Sequence, residues 1–487
     1  MADLRYVCLS DMHFGAENSI LTALRPGTVE TDWKTPSPAL TGLLDCLRTL
    51  VEANSGSQRP TLILAGDILE LALATTSEAG MVFEMFVEAA FKDRPIFDDI
   101  VYFVPGNHDH HLWEGAREKQ YSDYVRNRDA ADHLEPAWHT TRMRAETDRH
   151  AVESELLTAL VQRKLGHRTP VRVRIVYPNL ALDAPTSNRH VFVHHGHYVE
   201  GMYRLMSTLR DIVFPEQRKA PDDVHVWEWE SENFAWIDFF WSSLGRSGTV
   251  GADVGLVYAS LQSPEALRVL RKNLAHGLAQ RPPRPRWVQG LKAWTLGRVL
   301  GRVTKRTTHL ERSHKEAKLS PSAQEGLRTY LEFPLRNQIK TEYESGDGES
   351  LEDLTFVFGH THKPFEDRQP FAGYPHPIRL YNTGGWVVDT RETRPLHGAA
   401  AILFDEDLNS ASLRLYNQSD DKSSYRVDVA HAGDPNPFFT RVASLVRPEQ
   451  EPWSGFSKAA AKLVEQRHRD LDAIIKKHPG LAPEAQS

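Results

Sequence analysis

The sequence predicts an α/β protein with its chemistry gathered at the ends of its strands, and three observations carry that expectation. Short apolar runs end repeatedly in polar clusters. Stretches with helical spacing stand between the early runs. After Gly359 the pattern changes to β-rich runs separated by Gly, Asp and Asn, which predicts a mostly β second half of the core.

In chain order, Arg5–Ser10 leads into Asp11, Thr61–Ala65 into Gly66, and Val101–Val104 into Pro105. Val191–Val193 precedes His194, and Leu354–Phe358 precedes Gly359. Runs of this length read as strands covered on both faces, since such a strand has no wet side to carry polar residues. Ser37–Ala53 places Leu40, Leu43, Leu44 and Leu47 on one helical face, and Glu78–Phe91 reads as a second helix. Strand and helix in alternation give an α/β core. Further on, IRLYNTGGWVVD, GAAAILFDED and SASLRLYN read as strands and turns.

Two stretches stand outside this plan and read as insertions. Residues 113–168 are mostly polar and helical in pattern, and 201–350 hold aromatic, Pro-broken and basic segments. From Ser457 to Lys477, Leu463, Val464, Leu471, Ile474 and Ile475 mark an amphipathic helix expected to pack on the body. The expected organisation is a discontinuous core over 1–200 and 351–430, an inserted helical cap over 201–350, and a helical extension over 431–487.

Composition narrows the class. Of 487 residues, 40% are hydrophobic and 25% charged, which excludes disordered and fibrous chains. A formal net charge of -7 argues against a polyanion binder as a whole. Cys8 and Cys46 are too few for a disulfide framework, and no basic-then-apolar leader opens the sequence, so a cytoplasmic protein is expected. No apolar run is long enough to span a bilayer.

The polar clusters are turn-like when taken singly. Together, Asp11, His13, Asp67, Asn107, His195, His360 and His362 each follow an apolar strand and can converge on one sheet edge. Imidazole, carboxylate and amide donors without thiolate suit Mn, Fe or Zn, with Mn preferred. Two such ions about 3.5–4 Å apart can hold a hydroxide between them and neutralise attacking and leaving oxygens of a phosphoryl centre.

These blocks resemble the calcineurin-like metallophosphoesterase superfamily. Its pattern appears in order as Asp11-Met12-His13, Gly66-Asp67, Gly106-Asn107-His108-Asp109, His195-Gly196 and Gly359-His360-Thr361-His362. The resemblance covers about 1–200 and 351–415 and implies a four-layer α/β/β/α sandwich. It also implies two divalent metal ions. Asp11, His13 and His362 would hold one, Asn107, His195 and His360 the other, with Asp67 bridging. His108 is implied to contact the phosphate or protonate the leaving group, and Asp109 to orient its ring. His195 is preferred to His194 and His197 because it precedes the glycine; His110 and His111 are open between neighbour, substrate-facing and solvated roles.

The family fixes the bond type and leaves the substrate to inserted elements. Residues 281–318 hold eleven Lys or Arg against Glu311 and Glu316, a local charge of +9 that leaves -16 for the remainder. Leu296, Val299, Leu300, Val303 and Leu310 oppose Arg298, Arg302, Lys305, Arg306 and Arg312 on a helical wheel, so this segment could meet an anionic membrane or a polyanion, or be a solvated face. Trp227, Trp229, Phe234, Trp236, Phe239, Phe240 and Trp241 read first as the core of a cap. The expected activity is hydrolysis of a phosphate ester or pyrophosphate bond in a small phosphorylated metabolite, nucleotide or lipid-linked sugar. A nuclease is the alternative, and a non-catalytic scaffold the third reading.

Overall fold

Alternation within the short apolar runs sets the layers. In β1 (Tyr6–Leu9), Val7 and Leu9 face one way and Cys8 the other. β2 (Thr61–Leu64) separates Leu62 and Leu64 from Ile63, and β3 (Ile100–Phe103) separates Val101 and Phe103 from Tyr102. These three strands are parallel neighbours, with the helices α1 (Pro38–Glu52) and α2 (Thr76–Phe91) as crossovers. Both helices start where the sequence supplies a cap: Ser37 accepts from the amide of Ala39, and Thr75 forms a reciprocal box with Glu78.

The computed structural model describes residues 3–144, 152–243, 317–344, 351–390 and 392–477. Its larger sheet adds β4 (Val152–Glu153), β5 (Arg172–Ile175), β11 (Gly398–Phe404), β12 (Ser410–Asn417) and β13 (Asp428–Ala430), in the order β13-β12-β11-β1-β2-β3-β5-β4. The smaller sheet comprises β6 (Asn179–Asp183), β7 (Arg189–His194), β8 (Asp353–Phe358), β9 (Phe365–Gln369) and β10 (Ile378–Asn382), in the order β6-β7-β8-β10-β9. Cys8, Ile63, Tyr102, Val191, Val193, Val357, Ile402 and Phe404 fill the space between the sheets.

Helices cover both outer faces, giving the expected four layers. α1, α2, α4 (Glu155–Leu165) and the C-terminal helices α8 (Pro437–Leu445) and α9 (Trp453–Lys477) share the core under the larger sheet. α5 (Leu205–Val213), α6 (Val226–Ile237) and α7 (Pro321–Tyr330) lie in the 201–350 stretch, and Val226, Ile237, Leu327 and Tyr330 share a core with Phe192, Phe356 and Leu380 of the smaller sheet.

Three sequence expectations change. The 113–168 stretch is not wholly inserted: after α3 (His111–Arg126), β4 pairs with β5, and Leu157 and Val161 of α4 join the main core. The aromatic stretch is divided, with Trp229 and Trp241 buried but Trp227 and Phe239 exposed. The C-terminal helix begins at Trp453 rather than Ser457 and buries Trp453, Phe456, Ala460 and Val464 against the core, as its apolar stripe requires. The basic segment 281–318 lies outside the described residues except for Ala317 and Lys318. Among the described residues, no helix is long and apolar enough to cross a membrane.

Candidate metal centre

The chain turns sharply where the predicted ligands sit. Asp11, His13, Asp67, His360 and His362 have φ of 50°, 44°, 51°, 68° and 57°, a left-handed backbone that non-glycine residues rarely adopt. Leu408 alone shares this conformation among the described non-glycine residues. Such strain persists only where surroundings over-determine it, and it marks functional sites. The loops after β1 and β2 remain paired beyond the strands: the amides of Asp11, His13 and Phe14 donate to the carbonyls of Gly66, Asp67 and Ile68 at 2.9, 2.9 and 2.8 Å. Two glycines allow the loops to close. A Cβ on Gly66 would lie 2.5 Å from His195 Nδ1, and one on Gly359 would lie 2.1 Å from Asp11 Oδ2.

All seven predicted ligands are buried. Asp11, His13 and His362 offer atoms within 4.8 Å of one another, as do Asp67, His195 and His360. His362 Nε2 lies 3.3 Å from Asp11 Oδ1. Asp67 Oδ2 stands between the groups, 3.8 Å from His13 Nε2 and 3.2 Å from His195 Nε2. Asn107 joins the second group through its Oδ1, 3.1 Å from His195 Nε2.

His13, His362 and His195 each have one ring nitrogen held by an oxygen. His13 Nδ1 meets Glu70 Oε2 at 2.8 Å, His362 Nδ1 meets Asp389 Oδ2 at 2.7 Å, and His195 Nδ1 meets the carbonyl of Ala65 at 3.0 Å. His360 Nε2 lies 3.1 Å from Glu200 Oε1. Histidines that hold a metal are oriented in this manner, by a carboxylate or carbonyl on the far nitrogen. Nε2 of His13 and Nε2 of His362 are buried without a hydrogen-bond partner, and the donor set is imidazole with carboxylate, so the residues fit divalent ions.

Electrostatics agree. Burial works to raise the Asp67 carboxyl, but His195, His108 and His13 hold it well below the usual carboxylate range. Burial lowers His195, and the Asp67 charge overrides it and pushes the imidazole up to about 9. The site carries buried negative charge that a cation would balance.

His108 and Asp109 divide differently from expectation. The Asp109 carboxylate does not orient the His108 ring; it accepts from the amides of Asp67, Ile68, Leu69 and Gly106 at 3.2, 2.7, 3.3 and 2.7 Å. It therefore clasps the second block to the third. Glu70, unassigned in the sequence, meets His108 Nδ1 at 2.8 Å through Oε1 and so joins His108 to His13. Burial would raise Glu70, yet His108 and His13 hold it far below the usual range.

The neighbouring histidines separate by face. His194 turns away from the ligand groups, its Nδ1 accepting from the amide of Gly196 at 2.8 Å and its ring 4.6 Å from Tyr330. His197 is buried against Tyr198, its ring 4.3 Å away, and belongs to neither ligand group. His110 Nε2 meets Glu230 at 2.7 Å, and His111 Nδ1 meets Asp238 at 3.0 Å. A cavity of about 970 Å³ lies elsewhere, between α3 and α4, and is lined by Lys119, Tyr124, Trp138 and Arg142 among others. None of the seven predicted ligands lines it.

Residues 4–253 match the family described as calcineurin-like phosphoesterase. The match takes in the first four blocks and ends before Gly359–His362. No curated protein sequence matches the chain. Among solved structures, the phosphopantetheinyl hydrolase of Mycobacterium tuberculosis is similar at 13% sequence identity, over 79% of this chain and 90% of that chain, with a TM-score of 0.24.

Proposed function

This chain belongs to the calcineurin-like phosphoesterase family, and from that premise we propose that its seven buried ligands hold two divalent metal ions, Mn by preference. The protein is a metal-dependent hydrolase of phosphoric esters. Asp11, His13 and His362 serve one ion, Asn107, His195 and His360 the other. The observation that carries the two-ion reading is the place of Asp67, whose Oδ2 faces a histidine of each group at 3.8 and 3.2 Å. The ions supply Lewis acidity toward phosphoryl oxygens and activate water.

The protein's own groups do the rest. His108, held at Nδ1 by Glu70, presents its opposite ring edge to the leaving oxygen and gives it a proton. Asp109 keeps the His108 loop on the Asp67 loop. We assign residues 1–200 and 351–430 to the catalytic core, 201–350 to an inserted cap, and 431–487 to an extension. The substrate is a small phosphorylated metabolite, nucleotide or lipid-linked sugar. Buried free thiols at Cys8 and Cys46 agree with a reducing, cytoplasmic setting. The +9 charge of residues 281–318 supports a peripheral contact with an anionic surface, which co-sedimentation with anionic vesicles at rising salt would test.

The deciding experiment is a screen of phosphomonoesters, phosphodiesters and nucleoside diphosphate conjugates with added Mn. Turnover of a monoester or pyrophosphate conjugate is expected. Two bound metals without turnover of any ester would refute the enzyme reading, and turnover confined to oligonucleotides would replace it with a nuclease.

A further inference from the structure

Glu230 is a fully buried carboxylate on α6, within the 201–350 stretch, and it makes its contacts in the core. Its Oε1 meets His110 Nε2 at 2.7 Å. Its Oε2 accepts from the hydroxyl of Tyr177 at 2.8 Å and from the hydroxyl of Tyr198. These three partners come from three separate segments. His110 follows His108 by two positions, Tyr198 follows His195 by three, and Tyr177 stands between β5 and β6. The His110 and Tyr177 rings also meet edge to face, with centroids 5.4 Å apart.

The same stretch reaches the His108 loop a second time. Asp238 meets His111 Nδ1 at 3.0 Å, and Ser242 Oγ accepts from the His111 amide at 2.8 Å. A buried carboxylate that accepts three donors, one of them a histidine, makes short and directional bonds. It also fixes the spacing of the segments that donate them. Burial alone would lower His110, but the Glu230 charge pushes it up to about 9, which keeps the donor on the histidine side. Hydrophobic packing of α6 on the smaller sheet would hold a cap in place without any of this. The carboxylate adds geometry rather than area.

We propose that Glu230 is a positioning residue for the reaction: through this one carboxylate the inserted helix sets the distance between the His108 loop and the His195 loop, and thereby the aim of His108 at the leaving oxygen. The inference rests on His108 acting as proton donor. Its experiment therefore separates the two ideas by leaving group. A nitrophenolate departs with little need of a proton, whereas an alkoxide needs one, so misaligning the donor must slow an alkyl ester selectively.

Glu230→Gln and His108→Ala are compared with the wild type on p-nitrophenyl phosphate and on an alkyl phosphate, with bound metal measured in each. The expected result for Glu230→Gln is unchanged metal content and an alkyl-ester kcat reduced about 10-fold more than the nitrophenyl-ester kcat, since small misplacements of a donor cost up to about 100-fold. Equal slowing of both esters, or no slowing of either, overturns the proposal. If Glu230→Gln does not fold, Tyr198→Phe removes one donor at nearly constant volume and must give the same selectivity in weaker form; an unselective Tyr198→Phe overturns the proposal equally. A His108→Ala enzyme without leaving-group selectivity would instead refute His108 as the donor, a failure visible independently of Glu230.

Discussion

Glu70→Gln is the sharpest test of how the site is oriented. The carboxylate binds His13 Nδ1 through Oε2 and His108 Nδ1 through Oε1, each at 2.8 Å, and Oε1 also accepts from the amides of Ala72 and Leu73 at 2.9 and 3.0 Å. Both histidines can donate because both carboxylate oxygens accept. A carboxamide of the same shape presents an oxygen to one ring and an NH₂ to the other. The ring that faces the NH₂ must offer a lone pair at Nδ1, which moves its proton to Nε2. If that ring is His13, Nε2 can no longer ligate; if it is His108, its working nitrogen changes protonation state. Loss of such a partner typically costs about 10- to 100-fold in metal affinity or activity, which is about 1.4 to 2.8 kcal/mol at tenfold per 1.4 kcal/mol. Metal titration against a competing chelator, together with kcat at saturating metal, reads both branches. Wild-type values for affinity and kcat alike would refute the orienting role.

Asp67→Asn replaces an oxygen that faces both ligand groups, so it should abolish turnover and lower bound metal, as elemental analysis would record. His108→Ala should keep the metal content and reduce kcat by about 10² to 10⁴, the usual contribution of a positioned acid; unchanged turnover would reject the assignment. Asp109→Ala should act on stability first, since it orphans four backbone amides and each unsatisfied buried donor costs about 1–3 kcal/mol. Urea unfolding of the metal-free protein measures that loss. Metal affinity should fall as pH falls, because an imidazole must give up its proton before it can bind a metal ion. Metal content after dialysis at pH 5 and at pH 8 checks the sign, and full retention at pH 5 would contradict it.

Much of the site was legible because its signals are local. Each predicted ligand follows a strand written as a short apolar run, and the ends of β1, β2 and β3 lie side by side because these strands are parallel. His195, His360 and His362, however, follow β7 and β8 of the smaller sheet, so the residues meet across two sheets and not on the one sheet edge expected. The α4 helix was not legible as core: Leu157 and Val161 join the main cluster, and two fully buried apolar positions in a polar stretch give too little periodicity to assign a face. The division of the aromatic run into buried Trp229 and Trp241 and exposed Trp227 and Phe239 depends on what packs against α6, which composition does not state.

The residues that orient the ligands differ in how much trace they leave. Glu70 stands as the one charged residue in the run Ile68–Ala74, and Asp389 ends the run Trp386–Val388; both repeat the apolar-to-acid transition that marked Asp11 and Asp67, and both could have been found by it. Glu230 could not, because it alternates with Glu228 and Glu232 in one helix. Of the three, Glu230 alone is fully buried, and the reason is which segments meet it. The same holds for Asp109. Its neighbour His108 made an orienting role natural, but four amides from the joined loops occupy its oxygens, and a backbone contact of that kind leaves no mark in side-chain identity. Ligands are chosen by chemistry that residue type records. Their supports are chosen by geometry that only the assembled loops create.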